Sequence, residues 1–191
     1  MNRPHQLISQ RDAELRGASA IPSFEQLLLR HLDSLYGLAL RLTQNREQAK
    51  DLLQEASLKA FENFQQLQEF EKAKTWLFRI LHRVFLSRYR RHRHEPPLVD
   101  LELDELLLAD SGDPFEVSAF ENLLDDDVHS AFNALPVEFR EVIALADIEE
   151  LSYREIAGIL NIPMGTVASR LYRGHSLLRE RLKEYARQHG Y

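Results

Sequence analysis

The sequence predicts an all-α chain of two small helical domains joined by an acidic connector, and three observations carry that expectation. Apolar residues recur at helical spacing toward both ends of the chain, and no alternating stretch signals a strand. Charge falls into segments: residues 1–94 hold 16 basic and 10 acidic side chains, 95–127 hold none and 12, and 128–191 hold 8 of each. Prolines mark the boundaries, at Pro96-Pro97, Asp113-Pro114 and Leu135-Pro136.

The first helix is predicted from Phe24 by Leu27, Leu28, Leu32, Leu35, Tyr36, Ala39 and Leu42, with Ser23 and Gln26 spaced as a capping box. Asn45 with Gln48 opens a second helix, whose stripe is Leu52, Leu53, Ala56, Ala60, Phe61 and Phe64. A third begins near Lys72 and buries Trp76, Leu77, Ile80, Leu81, Val84, Phe85 and Tyr89. Three stripes with short connections are buried only against one another, so residues 23–92 read as a compact bundle.

Pro96 and Pro97 end the third helix and open the connector, because a proline ring removes a backbone donor and restricts the residue before it. Within it, leucines at 98, 101, 103, 106, 107 and 108 allow a short amphipathic helix, and Asp113-Pro114 begins another to about Leu124, with a continuation after residues 125–127. The acidic run reads as a solvated linker, as a nucleic-acid mimic, or as a segment that folds back on the basic domain.

The last third reads as helix, helix, tight turn, helix. Leu135-Pro136 opens the first and Ser152 with Glu155 caps the second. Residues 161–165 turn, and the final helix runs from Thr166 to about Arg187. Residues 151–174 have the layout of a helix-turn-helix, packed through Ile156, Ala157 and Leu160 on one helix and Val167 and Leu171 on the next. Such a motif offers the start of its second helix to the major groove, and the exposed candidates are Ser169, Arg170, Tyr172 and Arg173. Residues 166–187 carry 6 basic and 2 acidic groups, against 2 and 6 over 136–160, so the basic face and the motif coincide. The bland alternative is a helical hairpin with a solvated basic face.

Two sets of motifs then resemble one family. Residues 129–183 are similar to region 4 of extracytoplasmic-function sigma factors, group 4 of the sigma-70 family. The match runs through Leu135-Pro136, Phe139-Arg140, Ser152-Tyr153, Glu155-Ile156-Ala157, Ile162-Pro163-Met164-Gly165-Thr166-Val167, Ser169-Arg170-Leu171 and Arg173-Gly174. Residues 24–92 resemble region 2 through Asp51-Leu52, Gln54-Glu55, Trp76-Leu77, Arg79-Ile80 and Tyr89-Arg90-Arg91. The resemblance implies a non-enzymatic promoter-recognition subunit of RNA polymerase, with no cofactor and no bound metal. Residues 1–22 become an amino-terminal extension, 23–94 region 2, 95–127 the linker and 128–191 region 4.

The resemblance also implies roles. Asp51, Gln54 and Glu55 would dock on the clamp helices of the polymerase largest subunit, against the alternative of salt bridges to Lys50 or Lys59. Region 4 would sit on the flap of the second-largest subunit. Residues 65–74 would capture an unstacked base of the minus-10 element, and Lys72, Lys74, Arg79, Arg83, Arg88, Arg90 and Arg91 would follow that DNA. Arg154, Thr166, Ser169, Arg170, Tyr172 and Arg173 would read the minus-35 element. The family also implies an anti-sigma factor as partner. Arg83, where many relatives have asparagine, and Ala168, at a commonly basic position, depart from the family pattern. Trp76 is expected in the core, and Gly174, mid-helix, at a close approach between elements.

Other classes remain to be weighed. His82, His92 and His94 suggest a metal enzyme, but only Glu95 lies near enough in sequence to complete a set. A helix-turn-helix repressor or activator acting alone is the alternative function, and it would bind as a symmetric dimer. The chain holds no cysteine, which excludes disulfides, thiolate metal sites and thiol redox sensing. No signal peptide and no membrane span is legible, so a cytoplasmic protein without membrane contact of its own is expected.

Overall fold

The computed structural model describes residues 22–94 and 126–190; the two helices expected within the connector, over 98–108 and 114–124, lie outside them. The described residues are mostly helical, with no strand among them. Helices α1 (Phe24–Thr43), α2 (Arg46–Glu62) and α3 (Ala73–His94) form the amino-terminal bundle. The expected caps are present: Ser23 Oγ accepts from the Gln26 N–H at 3.2 Å while the Ser23 N–H donates to Gln26 Oε1, and Asn45 Oδ1 accepts from the Gln48 N–H at 3.0 Å. Each satisfies a backbone donor that a helix start leaves unpaired. Leu35, Leu38, Leu52, Phe78 and Leu81 close the core, all 2% exposed or less. A side chain such as Phe78 contributes roughly 2–3 kcal/mol by leaving water.

Between α2 and α3 the chain makes two short 3-10 turns, Phe64–Gln66 and Phe70–Lys72, so α3 starts just past Lys72. These turns rest on an aromatic cluster that joins Phe70 to residues of the first two stripes. Phe24 meets Phe61 and Phe64 edge-on at 5.3 and 5.4 Å, and Phe64 lies 6.1 Å from Phe70. Trp76 packs, half-buried, against the core as expected.

The second domain comprises α4 (Asp126–Asn133), α5 (Val137–Ile143) continuing into a π turn (Ala144–Ile148), α6 (Tyr153–Leu160), α7 (Met164–Arg181) and α8 (Lys183–Gln188). Ser152 and Glu155 form the expected capping box on α6, and Asn161 ends that helix in the left-handed conformation at φ 56°. Two details depart from expectation. The recognition helix begins at Met164, because Pro163 supplies an extended N-cap. It also breaks at Leu182, where ψ swings to 3° although the Leu182 N–H still donates to the Leu178 carbonyl at 3.0 Å. Neither proline nor glycine stands there to announce the break.

Gly174 does mark a close approach. A Cβ at that position would lie 2.8 Å from Ile143 Cδ1 and 3.2 Å from Phe139 Cβ, so only hydrogen lets α7 settle on α5. The two domains pack through α3 on α6 and α1 on α5. Side-chain bonds cross this seam from Gln44 to the Asn133 carbonyl, from Lys74 to Glu149, from Thr75 to Glu155 and from His82 to Glu141.

Candidate nucleic-acid interface

Helix α7 is amphipathic in the way a groove-binding helix requires. Val167, Leu171 and Gly174 are buried, while Ser169, Tyr172 and Arg173 stand in solvent, Tyr172 at 75% exposed. Arg154 is exposed on α6, and Thr166 is half-buried with its carbonyl accepting from Ser169 Oγ at 3.0 Å. Arg170, expected among the free residues, is instead half-buried, with Nη1 donating to Glu141 Oε1 at 3.0 Å. Helical spacing puts position 170 on the border of the buried stripe, and the carboxylate across from it draws the guanidinium inward.

The basic residues of the third helix divide three ways. Arg79, Arg83, Arg90 and Arg91 line one wall of a cleft of about 760 Å³, with Gly158 and Asn161 of the helix-turn-helix opposite. Their spacing of four and seven stacks them on one face of α3. Lys74 is drawn to the second domain, where Nζ lies 3.0 Å from Glu149 Oε2 and donates to the Glu149 carbonyl. Arg88 points the other way: it bonds Glu55 at 2.6 Å and the Asp51 carbonyl at 3.0 Å. Lys72 stays in the exposed turn, paired with Glu69 at 2.6 Å.

Asp51 and Gln54 are exposed on α2 and Glu55 is half-buried. Near them Lys50 pairs with Glu47, Lys59 with Glu62, and Glu55 with Arg88 of the neighbouring helix. Of the histidines weighed as metal ligands, His82 is buried with Nε2 3.2 Å from Glu141, and the side chains at 92 and 94 lie outside the described ones.

Residues 27–95 match the family described as Sigma-70 region 2, and residues 125–178 match Sigma-70, region 4. The chain is 36% identical over 170 residues to the ECF RNA polymerase sigma factor SigE of Mycolicibacterium smegmatis, covering 88% of this chain and 65% of that one. It is 32% identical over 169 residues to the ECF RNA polymerase sigma factor SigW of Bacillus subtilis, covering 85% and 90%. The chain belongs to the extracytoplasmic-function sigma factors of the sigma-70 family. Among solved structures it is similar to the sigma factor RpoE of Bartonella quintana, in a co-crystal with the anti-sigma factor NepR. That likeness has a TM-score of 0.65 and 28% identity, over 84% of this chain and 96% of that one.

Sequence reasoning about this sigma factor missed its buried polar groups. Arg140 is 5% exposed, with Nη1 donating to the carbonyls of Asn133 at 2.7 Å and Leu135 at 3.1 Å, so it closes the end of α4. Burial pushes its pKa below the ordinary guanidinium value. Glu141 and Glu149, 7% and 8% exposed, both face the first domain. Burial, then Lys74 and Arg30, hold the His31 pKa below its ordinary value, while the Ser152 hydroxyl and N–H hold Glu155 low. Only the placement of Arg140 had a sequence signal, the Leu135-Pro136 start just before it.

Proposed function

We propose that this chain is the promoter-recognition subunit of an RNA polymerase, directs promoter-specific initiation, and is not itself an enzyme. In this reading residues 23–94 bind core polymerase and the minus-10 element, 128–191 read the minus-35 element, and 95–127 span the distance between. The observation that carries it is the pairing of two basic surfaces on separate domains: Arg79, Arg83, Arg90 and Arg91 lining the cleft on α3, and the exposed Arg154, Ser169, Tyr172 and Arg173 at the helix-turn-helix. A duplex opened at one element and read at the other needs two such surfaces. Guanidinium groups suit both tasks, because each clamps phosphates and can pair with a guanine edge.

Asp51, Gln54 and Glu55 are proposed to meet the clamp helices of the largest polymerase subunit, and Arg88 to orient Glu55 from beneath. Arg88 and Lys74 therefore serve the minus-10 DNA less directly than Arg79 and Arg83, and Lys72 reaches it from the turn before α3. Region 4 is assigned to the flap of the second-largest subunit. Likeness to a sigma factor crystallised with its anti-sigma factor supports control by such a partner. Among the described residues no helix is long and apolar enough to cross a membrane. A cytoplasmic protein, where polymerase works, is the proposal.

The test is transcription by purified chain with and without sigma-free core polymerase on a promoter library at a stated salt concentration. Initiation from a two-element promoter only when both are present is the expected result. Tight binding by the chain alone to a palindromic site, with no effect on core polymerase, would make it an autonomous helix-turn-helix regulator.

A further inference from the structure

The cleft of about 760 Å³ between α3 and the end of α6 has the size of a small-molecule site, and its chemistry is lopsided. Arg79, Arg83, Arg90 and Arg91 line it with His82, and among the described residues no carboxylate does. The acids nearest to α3 are spent elsewhere: Glu55 on Arg88, Glu149 on Lys74, Glu141 on His82 and Arg170. Arg79 Nε is buried without a hydrogen-bond partner, and Arg91 reaches only the Ser87 hydroxyl, at 3.4 Å. Cations one turn apart on a helix repel, so Arg79 and Arg83 raise the energy of this wall until an anion lies against them.

The other surfaces of the cleft are of a different kind. Leu86, Ile159 and Leu160 give it apolar lining, and the exposed Asn161 offers an amide that both donates and accepts. Gly158 has no side chain to fill the space; a Cβ there would meet Arg79 Nη2 alone, at 3.2 Å. A guanidinium fork matches a phosphate with two parallel hydrogen bonds, and its flat face stacks on a planar ring. A DNA duplex is too wide for a space of this size between two domains, whereas a nucleotide fits it.

We propose that this cleft binds a small molecule carrying two or more phosphates on a planar body, a nucleoside polyphosphate in chemical class. The arginines of α3 take the phosphates; the ring lies toward Leu86, Ile159 and Leu160, within reach of the Asn161 amide. The site needs both domains, since one supplies the cations and the other the opposite wall. On the promoter reading such a ligand competes with the minus-10 strand for the same guanidiniums, but the site stands on the cleft and not on that reading.

Isothermal titration of the full chain with magnesium-free adenosine triphosphate, at about 0.15 M salt, tests it. One nucleotide per chain is expected. Inorganic tripolyphosphate should bind about tenfold more weakly for want of a stacking ring, and adenosine should give no measurable heat. Arg83→Ala and Arg90→Ala, both at exposed positions, should each weaken the nucleotide by about tenfold, the loss of one charge-assisted hydrogen bond. Gly158→Leu keeps every arginine and puts a side chain into the cleft. It should weaken the nucleotide at least as much, while a short single-stranded DNA, which needs only the exposed arginines, binds as before. Absence of one-to-one binding, adenosine or tripolyphosphate as tight as the nucleotide, or a nucleotide affinity unmoved by Gly158→Leu would overturn the site. Equal losses of nucleotide and strand in Gly158→Leu would also overturn it, giving the cleft to DNA. Initiation with core polymerase is a separate measurement: a chain that binds the nucleotide and never initiates defeats the promoter reading alone.

Discussion

The two domains solve the same burial problem with different materials. Among the described residues, the amino-terminal domain packs three long helices around aliphatic and aromatic side chains and buries one ionisable group, His82. The carboxy-terminal domain has shorter helices, a π turn and three buried charged side chains, Arg140, Glu141 and Glu149. Long amphipathic helices meet face to face and need no polar support. Short helices leave more ends per residue, and their unpaired carbonyls and the turns between them must be met by side chains such as Arg140. The first domain is stabilised by its own core; the second borrows charge partners from the first.

The largest expected effect sharpens that contrast. Phe78→Ala, at a fully buried site, should destabilise the amino-terminal domain by about 4 kcal/mol in denaturant unfolding, because a cavity adds to the lost transfer energy. A loss under 1 kcal/mol would mean the bundle is not held by its core. Glu141→Ala strips Arg170 and His82 of their shared carboxylate and should cost about 3 kcal/mol, less than the Phe78 change because Arg170 is partly solvated. If a double change of Glu141 and His82 costs as much as the two single changes summed, the domains are not sharing that charge.

Gly174→Val tests packing within the second domain alone. With Ile143 Cδ1 already at 2.8 Å from an added Cβ, overpacking of about 2 kcal/mol is expected. Unchanged melting would show that α7 can slide on α5. Arg173→Ala should leave stability alone and weaken minus-35 selectivity by about 1–2 kcal/mol, read as promoter preference with core polymerase. Equal selectivity would remove Arg173 from the reading surface.

Acidification gives the smallest effect. The His31 pKa is held below its ordinary value of 6.5, by burial first and then by Lys74 and Arg30, so the unfolded chain binds the extra proton. The stability from neutral His31 is full above about pH 6.5 and is lost as pH falls through its folded value. Glu155, held below 4.5 by its bonds from Ser152, adds a second loss at lower pH. His31→Gln should flatten the upper part of that slope in pH-dependent unfolding. An unchanged slope would place the proton elsewhere.

Much of this was legible in the order of residues. Ser23 with Gln26, Asn45 with Gln48, and Ser152 with Glu155 each placed a helix start, because a cap is a contact between residues three apart. Gly174 announced a close approach before its neighbours were known, and the exposure of Ser169, Tyr172 and Arg173 follows from helical spacing. What misled was any inference about ion partners. Lys50 and Lys59 are near Glu55 in sequence, yet Arg88, 33 residues away, takes it. Arg170 has the same helical setting as Arg173, yet Glu141, 29 residues before it, takes its guanidinium.

The sequence by itself determined the helices, their caps, the division of charge into two domains and a connector, and the family, because those depend on spacing within a few turns of chain. Tertiary structure alone decided which cations stay free. Whether Lys74, Arg88 or Arg170 is available to a phosphate depends on a carboxylate brought close by folding, and Coulomb attraction at 3 Å answers to distance in space and not to separation along the chain.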